Sequence, residues 1–237
     1  MFKAIFTPFF FTFVNPYIWY MLIVLLFTST ICLVFKSKQT LRDNKKIVYR
    51  IISIALIYTQ LIRYQFLYES TITFNLASHL PFYICRVSAW VLLVHTVINS
   101  FVEFKLLSPF LFYWGATGLA GIIYPNGPIE NILNLNQTFY IDHFTLGVFP
   151  FFLVAVEQYK PTLKHVFVIS GIMFAMLLMF IPLNNLWDTD YFYLKNQSIF
   201  GILFPGTSSA IFAFVHSLTA MVFFSGYYYM FKDREYL

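Results

Sequence analysis

Five polar residues interrupt stretches that are otherwise apolar enough to cross a membrane: Arg63, Cys85, Arg86, Asp142 and His143. An ionisable group at membrane depth is costly to bury and therefore marks a candidate functional site. A cysteine near a histidine is the smallest arrangement that activates a thiol, because the imidazole removes the thiol proton. The sequence thus offers Cys85 as a nucleophile and His143 as its base, although a buried cysteine taken alone is more often an inert core residue.

The other three residues suit binding or pairing. A guanidinium matches a phosphate group, so we expect Arg63 and Arg86 to hold a charged headgroup. Adjacent residues on a helix point about 100° apart, so Asp142 is poorly placed to orient the ring of His143. We expect Asp142 to pair with Arg63 or Arg86, since charges within a membrane normally pair. The alternative is a charge network that only holds the helices together.

Composition defines the class of protein. Hydrophobic residues make up 59% of the 237 residues and charged residues only 11%. A soluble domain carries roughly a quarter charged residues, so a soluble globular fold is excluded. Each transmembrane helix needs about 20 residues, and the length therefore suits one compact bundle. These features predict an all-α, polytopic membrane protein with about seven transmembrane helices.

Hydropathy predicts seven spans, at about 17–35, 47–68, 80–98, 106–125, 139–157, 165–183 and 207–231. Residues 17–231 would form one transmembrane domain, followed by a short cytoplasmic tail at 232–237. Residues 1–16 are interrupted by Pro8 and Pro16. Their apolar run is too short to span the hydrocarbon core, so we expect an interfacial segment.

The net charge of +5 does not indicate a nucleic-acid partner, because the basic residues gather on one side of the predicted bundle. With the N-terminus outside, the outer segments hold only Lys3 and Lys195. The inner segments hold Lys36, Lys38, Arg42, Lys45, Lys46, Lys105, Lys160, Lys164, Lys232 and Arg234. Cytoplasmic loops are the ones enriched in Lys and Arg. The distribution therefore predicts an outer N-terminus and a cytoplasmic C-terminus.

In this topology the candidate site lies in one layer below the outer surface. At about 1.5 Å of rise per residue, Cys85 and His143 come roughly 8 and 6 Å inside the outer ends of their spans. Four spans begin on this side, and helix N-termini favour anions. The seventh begins with Gly206–Ala210, which suits a phosphate or carboxylate, although an ordinary helix cap of this composition is the more common case. His216, in the middle of that span, is expected to line the cavity.

Several short motifs, all in the right order, resemble those of the YwaF and transmembrane protein 164 family. Residues 80–85, Leu-Pro-Phe-Tyr-Ile-Cys, resemble its Leu-Pro-x-x-x-Cys signature. Residues 113–115, Tyr-Trp-Gly, resemble its aromatic-Trp-Gly helix, and residues 189–194 resemble its Thr-Asn-Tyr-x-Tyr-Leu loop. His143 falls where the family carries a histidine. The resemblance covers about residues 80–217.

The resemblance implies about seven spans and, from the animal branch of the family, acyltransferase chemistry on phospholipids. Carried over by position, it implies Cys85 as the nucleophile and His143 as the base. By their location, Trp114 or the start of the seventh helix is a candidate oxyanion donor. Asp190 and Tyr191, in the matching loop, are candidate contacts to the substrate.

We therefore expect a multi-pass integral membrane protein, in the plasma membrane if the host is bacterial. It would transfer acyl groups between phospholipids near the outer leaflet through a thioester, or hydrolyse them if water replaces the acceptor. The alternative is a non-catalytic transporter or lipid-binding protein that uses the same charged layer. Membrane lipids are the expected partners, and the sequence leaves the oligomeric state open. No cofactor is expected, and no spacing of His, Cys and carboxylate residues suggests the three or four convergent ligands of a metal site.

Overall fold

The computed structural model describes residues 16–70, 84–123, 137–189, 191, 194 and 208–233. Within these ranges the chain forms helices and turns, and no strand. The helices are α1 Pro16–Lys36, α2 Lys38–Asp43, α3 Lys45–Ser70, α4 Ile84–Asn99, α5 Ser108–Ile123, α6 Gln137–Ala155, α7 Leu163–Leu186 and α8 Ser209–Phe231. The all-α prediction is confirmed for this part of the chain.

The long helices coincide with the predicted spans. Every end of α1 and of α3 to α8 lies within four residues of the predicted boundary. The sequence does not predict α2, because five of its six residues, Lys-Gln-Thr-Leu-Arg-Asp, are polar and the segment is far too short and polar to span a membrane. The interfacial segment predicted at 1–16 lies outside the described residues apart from Pro16, as does the tail beyond Asp233.

Side-chain contacts give the direction of α3 relative to α6. The ring of Tyr49, early in α3, packs on Phe152, late in α6, with the ring centroids 5.7 Å apart. Further along α3, Thr59 donates a hydrogen bond to Asp142, which lies earlier in α6. The two helices are therefore antiparallel. The ring contacts between α1 and α6 run in the same direction along both helices, so α1 is parallel to α6.

Contacts with α3 also give the direction of α4. Lys45, at the start of α3, pairs with Glu103, just beyond the end of α4, at 3.5 Å. Tyr49, one turn further along α3, packs on His95, one turn earlier than the end of α4. Helix α4 is therefore antiparallel to α3 and parallel to α6. Consequently α1, α4 and α6 all end on the side of the bundle where α3 begins.

Helix α3 buries polar side chains and exposes apolar ones. Ser53, Thr59 and Gln60 are buried. The opposite face presents residues that are 43% to 67% exposed, namely Ile47, Ile51, Ile54, Ile57 and Leu61. In hydrocarbon, where every polar group needs a partner within the protein, this arrangement is the stable one. The exposed apolar face of α3 is therefore suited to contact with lipid.

Two of the described helices, α7 and α8, are long and apolar enough to cross a membrane by length and composition. Shorter apolar stretches lie at Val24–Lys36 in α1, Cys85–Asn99 in α4 and Ile141–Ala155 in α6. These features are typical of a membrane protein. The crossing of the bilayer by all seven long helices stays a prediction.

Glycines let α5 and α6 approach closely. A Cβ atom on Gly118 would come within 2.6 Å of the carbonyl oxygen of His143 and 2.7 Å of the backbone nitrogen of Gly147. Real Cβ atoms do not approach backbone atoms this closely, so position 118 accepts only glycine without movement of a helix. Gly115, Gly118 and Gly121 follow one another at three-residue spacing, which predicts such a close approach from the sequence. The structure confirms it at Gly115 and Gly118.

Helix α6 continues through Pro150 to Ala155. Proline has no N–H group, so the carbonyl of Leu146, four residues earlier, lacks its usual helical donor. Gly115 of α5 lies against this carbonyl, since a Cβ atom there would come 3.0 Å from the oxygen of Leu146 and 3.0 Å from Cγ of Pro150. The bare backbone of α5 thus covers the part of α6 that the proline weakens. From its position in the middle of a predicted span, Pro150 is expected to kink the helix, and this kink stays a prediction.

The variant Gly118→Ala should destabilise the protein, because the new methyl group forces α5 away from α6. Overpacking of this kind costs about 2 kcal/mol. Gly171→Ala is the matched control, since a Cβ atom at Gly171 meets nothing within 4 Å. Thermal unfolding in detergent should give a lower Tm for Gly118→Ala and an unchanged or slightly higher Tm for the control. Equal Tm values for the two variants would contradict the close packing.

Candidate functional site at the N-terminal ends of α4 and α6

A buried carboxylate in the N-terminal half of α6 is held by α3. Asp142 is only 5% exposed. Its Oδ1 atom accepts a hydrogen bond from the hydroxyl of Thr59 at 2.6 Å, and its Oδ2 atom accepts one from the amide of Gln60 at 2.9 Å. Both donors are themselves buried, so breaking either bond would leave a buried polar group without its partner. Asp142 therefore ties α6 to α3.

Thr59 and Gln60 are site residues that the sequence analysis misses. A search for ionisable groups overlooks them because neither carries a charge. The available signal is positional, since they follow Ser53 along the polar face of α3 and hydrophobic residues occupy the other face. The side chain of Arg63 lies outside the described residues, and Arg86 is half-buried on α4. The predicted pairing of Asp142 with either arginine stays a prediction.

His143 is positioned through its backbone. The side chain is 6% exposed. Its carbonyl packs against Gly118 of α5, and its neighbour Asp142 is bonded to α3. The first contact fixes the distance of this turn of α6 from α5, and the second fixes its contact with α3. His143 thus stands on a rigid helix held by two others, which is the kind of support that a precise site requires.

Cys85 is the second residue of α4 and packs, half-buried, against the hydrophobic core. Its depth follows from the contact between the rings of His95 and Phe149, whose centroids are 5.6 Å apart. These two rings mark one level on the parallel helices α4 and α6. At 1.5 Å per residue, Cys85 lies about 15 Å and His143 about 9 Å from that level. The two candidate catalytic residues therefore lie on the same side of it, with a difference in depth of about 6 Å.

Trp114 lies deeper than His143. Gly118 is level with His143, and Trp114 precedes it by four residues, which corresponds to about 6 Å along α5. The indole of Trp114 is completely buried, and its Nε1 atom has no acceptor among the described residues. A donor is therefore available about one helical turn below His143. Its use as an oxyanion donor stays a prediction.

The segment after α7 is organised by an asparagine that the sequence analysis does not select. The amide oxygen of Asn184 accepts hydrogen bonds from the Thr189 hydroxyl and the Tyr191 backbone N–H, both at 2.9 Å. Its Nδ2 atom donates to the Tyr191 carbonyl, also at 2.9 Å. Tyr191 is completely buried and contacts the ring of Phe180. It anchors this segment on α7, its contact with substrate stays a prediction, and Asp190 lies outside the described residues.

The two remaining candidates lie on α8. Ser208 caps the helix, because its hydroxyl accepts a hydrogen bond from the Ile211 N–H at 3.5 Å. This observation favours the capping interpretation of the serine-rich start, while Gly206 and Thr207 lie outside the described residues. His216 is half-buried, and its Nδ1 atom lies 2.8 Å from the carbonyl oxygen of Phe212 on the same helix. Its contact with a cavity stays a prediction.

Comparison with known proteins gives one family. The model of the TMEM164 family matches residues 10–228, which is nearly the whole chain and includes every candidate residue. No curated protein and no solved structure matches. The family predicted from the short motifs is confirmed.

Replacement of Asp142 by leucine should leave the Thr59 hydroxyl and the Gln60 amide buried without their acceptor. We expect a loss of about 2 kcal/mol in the free energy of unfolding. Asp142→Asn should lose less, because Asn keeps an oxygen for Thr59 and the amide of Gln60 can rotate to pair with the new amide. Thermal unfolding of both variants in detergent measures the difference. Equal losses in the two variants would contradict the assigned hydrogen bonds.

Proposed function

The chain belongs to the TMEM164 family, and on that premise we propose that it is a seven-span membrane acyltransferase. It transfers acyl chains between phospholipids near the outer leaflet, with Cys85 as the nucleophile and His143 as the base. The N-terminus lies outside and the C-terminus in the cytoplasm, in the plasma membrane if the host is bacterial. The observation that carries the proposal is the common end of α4 and α6 at which Cys85 and the buried pair Asp142 and His143 lie.

The charge distribution supports this orientation. Helices α1, α4 and α6 end, and α3 begins, on one side of the bundle. Basic residues of the described chain gather on that side, at Lys36, Lys38, Arg42, Lys45, Lys46 and Lys105. Lys and Arg are enriched in cytoplasmic loops, so this side faces the cytoplasm. Cys85 and His143 then face the outer leaflet.

The chemistry has two steps that use the same two side chains. His143 removes the proton of the Cys85 thiol, and the thiolate attacks the carbonyl carbon of an acyl ester. The ester C–O bond breaks, the departing lipid oxygen takes the proton from His143, and a thioester remains on Cys85. His143 then removes a proton from the hydroxyl of a second lipid, which attacks the thioester and releases the thiolate. Water in place of that hydroxyl makes the reaction a hydrolysis.

The remaining residues have supporting roles in this proposal. Arg63 and Arg86 hold the phosphate of the headgroup, for which a guanidinium offers paired donors. Asp142, fixed by α3, holds the turn of α6 that carries His143. The indole N–H of Trp114, which has no acceptor within the described part of the chain, donates to an oxygen of the bound lipid. Asp190, Tyr191 and His216 line the lipid site.

A non-catalytic transporter or lipid-binding protein is the rival function. The half-buried Arg86 and the buried Asp142 support it as well, because a charged layer also suits recognition of a headgroup. The two functions differ in their use of the thiol. A transporter depends on the arginines and tolerates the loss of Cys85, whereas an acyltransferase does not.

Replacement of Cys85 by serine or of His143 by alanine should reduce acyl exchange between phospholipids in proteoliposomes by about 100-fold or more, since each removes a reacting group. Exchange of a labelled acyl chain into an unlabelled lysophospholipid measures the rate. Cys32→Ser is the matched control, because Cys32 is an exposed, free thiol on α1.

An unchanged rate of acyl exchange in folded Cys85→Ser and His143→Ala proteins would contradict the enzyme proposal. If exchange is absent from the wild type as well, headgroup binding tests the rival function. Loss of lipid binding in Arg86→Ala, with full binding in Cys85→Ser, would then favour a transporter or a lipid-binding protein.

A further inference from the structure

A second group of buried polar side chains lies at the opposite end of the bundle from Cys85. This inner polar cluster comprises Tyr49 of α3, His95 and Asn99 of α4, and Glu157 just beyond the end of α6. The side chains of His95 and Glu157 expose 0% and 2% of their surface, and His95 Nε2 lies 3.8 Å from Glu157 Oε1. That separation is too long for a direct hydrogen bond.

Two polar atoms of the cluster lack partners among the described residues. These are Oε1 of Glu157 and the hydroxyl of Tyr49, both fully buried. The surroundings are aromatic, since the ring of His95 contacts those of Tyr49 and Phe149 edge-on. A buried carboxylate without hydrogen bonds is strongly unfavourable in such surroundings, and a protonated one is far less so.

The cluster is preformed by contacts around it. Asn99 donates its amide to the Phe104 carbonyl at 2.8 Å and accepts from the Phe104 N–H at 2.9 Å, which fixes the turn after α4. Arg42 of α2 donates two hydrogen bonds to the Ala155 carbonyl, at 2.6 and 3.1 Å, two residues before Glu157. The connections after α1, α4 and α6 therefore meet at this cluster.

We propose that Glu157, together with His95 and Tyr49, forms a proton-binding site that couples pH on this side of the membrane to the packing of the connection between α6 and α7. With the proton bound, Glu157 is neutral and stays packed between α3 and α4. Without it, the connection must open to water or draw a cation toward the carboxylate. This site is separate from Cys85 and His143 and does not depend on their chemistry.

The elements at this end of the bundle carry several charged and titratable groups. They are Arg42 of α2, Lys45 and Tyr49 of α3, His95 of α4, Glu103 and Lys105 of the following loop, and Tyr159 of its own connection. The ammonium of Lys45 favours the charged carboxylate of Glu157. Lys45 also lies 3.5 Å from Glu103, so its charge is shared with a second carboxylate.

Burial affects the protonation of Glu157 more strongly than the charge of Lys45 does. Hydropathy places Glu157 at the last position of its span, but the helix ends at Ala155, so Glu157 lies outside the spanning helix. Desolvation raises the pKa of its carboxyl from 4.5 to about 7, against the smaller opposing effect of Lys45. Glu103 behaves oppositely, because a hydrogen bond from Lys105 and the charge of Lys45 lower the pKa of its carboxyl. Near neutral pH Glu157 therefore exchanges a proton while Glu103 stays ionised.

The raised pKa of Glu157 determines how the stability of the folded protein changes with pH. A raised pKa means that the folded protein binds the proton more tightly than the unfolded chain does. The stabilisation by this proton is complete below pH 4.5 and is lost as the pH rises to about 7. We therefore expect the Tm of the wild type to fall by several degrees between about pH 5 and pH 8 through this group.

The test is a pH titration of the full-length protein in lipid by infrared difference spectroscopy, which detects the C=O stretch of a buried protonated carboxyl. The wild type should show this band at about pH 5 and lose it with a midpoint near 7. Glu157→Gln should lack the band, and its Tm should vary less with pH. This variant mimics the protonated carboxyl in shape and should therefore fold. Glu103→Gln is the matched control and should keep the band.

A wild type without the band at any pH would overturn the proposal. The same holds for a band that persists in Glu157→Gln, because another carboxyl would then carry the proton. A Tm that depends on pH equally in the wild type and in Glu157→Gln would overturn the coupling to packing.

Discussion

The position of the candidate site depends on the close approach of α5 to α6 at Gly118. Helix α6 contacts α1, α3, α4 and α5, so it is the helix around which the described bundle packs. A side chain at position 118 would meet the backbone of His143 and Gly147. The absence of one brings α5 against the turn that carries His143, and Asp142 joins the same turn to α3. The lack of a side chain at Gly118 and the hydrogen bonds of Asp142 together determine the position of His143, the proposed base.

The polar residues of the bundle divide between its two ends. Toward the N-terminal ends of α4 and α6, the carboxyl group of Asp142 accepts hydrogen bonds from Thr59 and Gln60, and Cys85 lies half-buried. At the other end, Glu157 lies close to His95 without a hydrogen bond to Oε1. A carboxyl group that is hydrogen-bonded to a neighbouring helix fixes structure, whereas a buried carboxyl group without such bonds favours its protonated form. We therefore assign positioning to the first and titration to the second.

Much of the fold is predictable because the hydrocarbon core imposes a length and a composition on each span. Hydropathy predicts the seven long helices, and the spacing of Gly115 and Gly118 predicts the close contact between α5 and α6. The sequence does not reveal the roles of Thr59, Gln60 and Asn184, because neutral polar residues barely alter a hydropathy average. The role of each becomes visible only when its hydrogen-bond partner on another segment is known. Glu157 is missed because burial of a residue beyond a helix end depends on the packing of other helices.

The central claim is that Cys85 carries the acyl chain during transfer. Mass spectrometry of the protein after rapid quenching with acid, following incubation with phospholipid vesicles, tests it directly. The account predicts an acyl adduct on the peptide that contains Cys85, removed by neutral hydroxylamine as a thioester is, and absent from His143→Ala. Acyl transfer that proceeds in the wild type with no adduct on Cys85, or with the adduct on another residue, would contradict it.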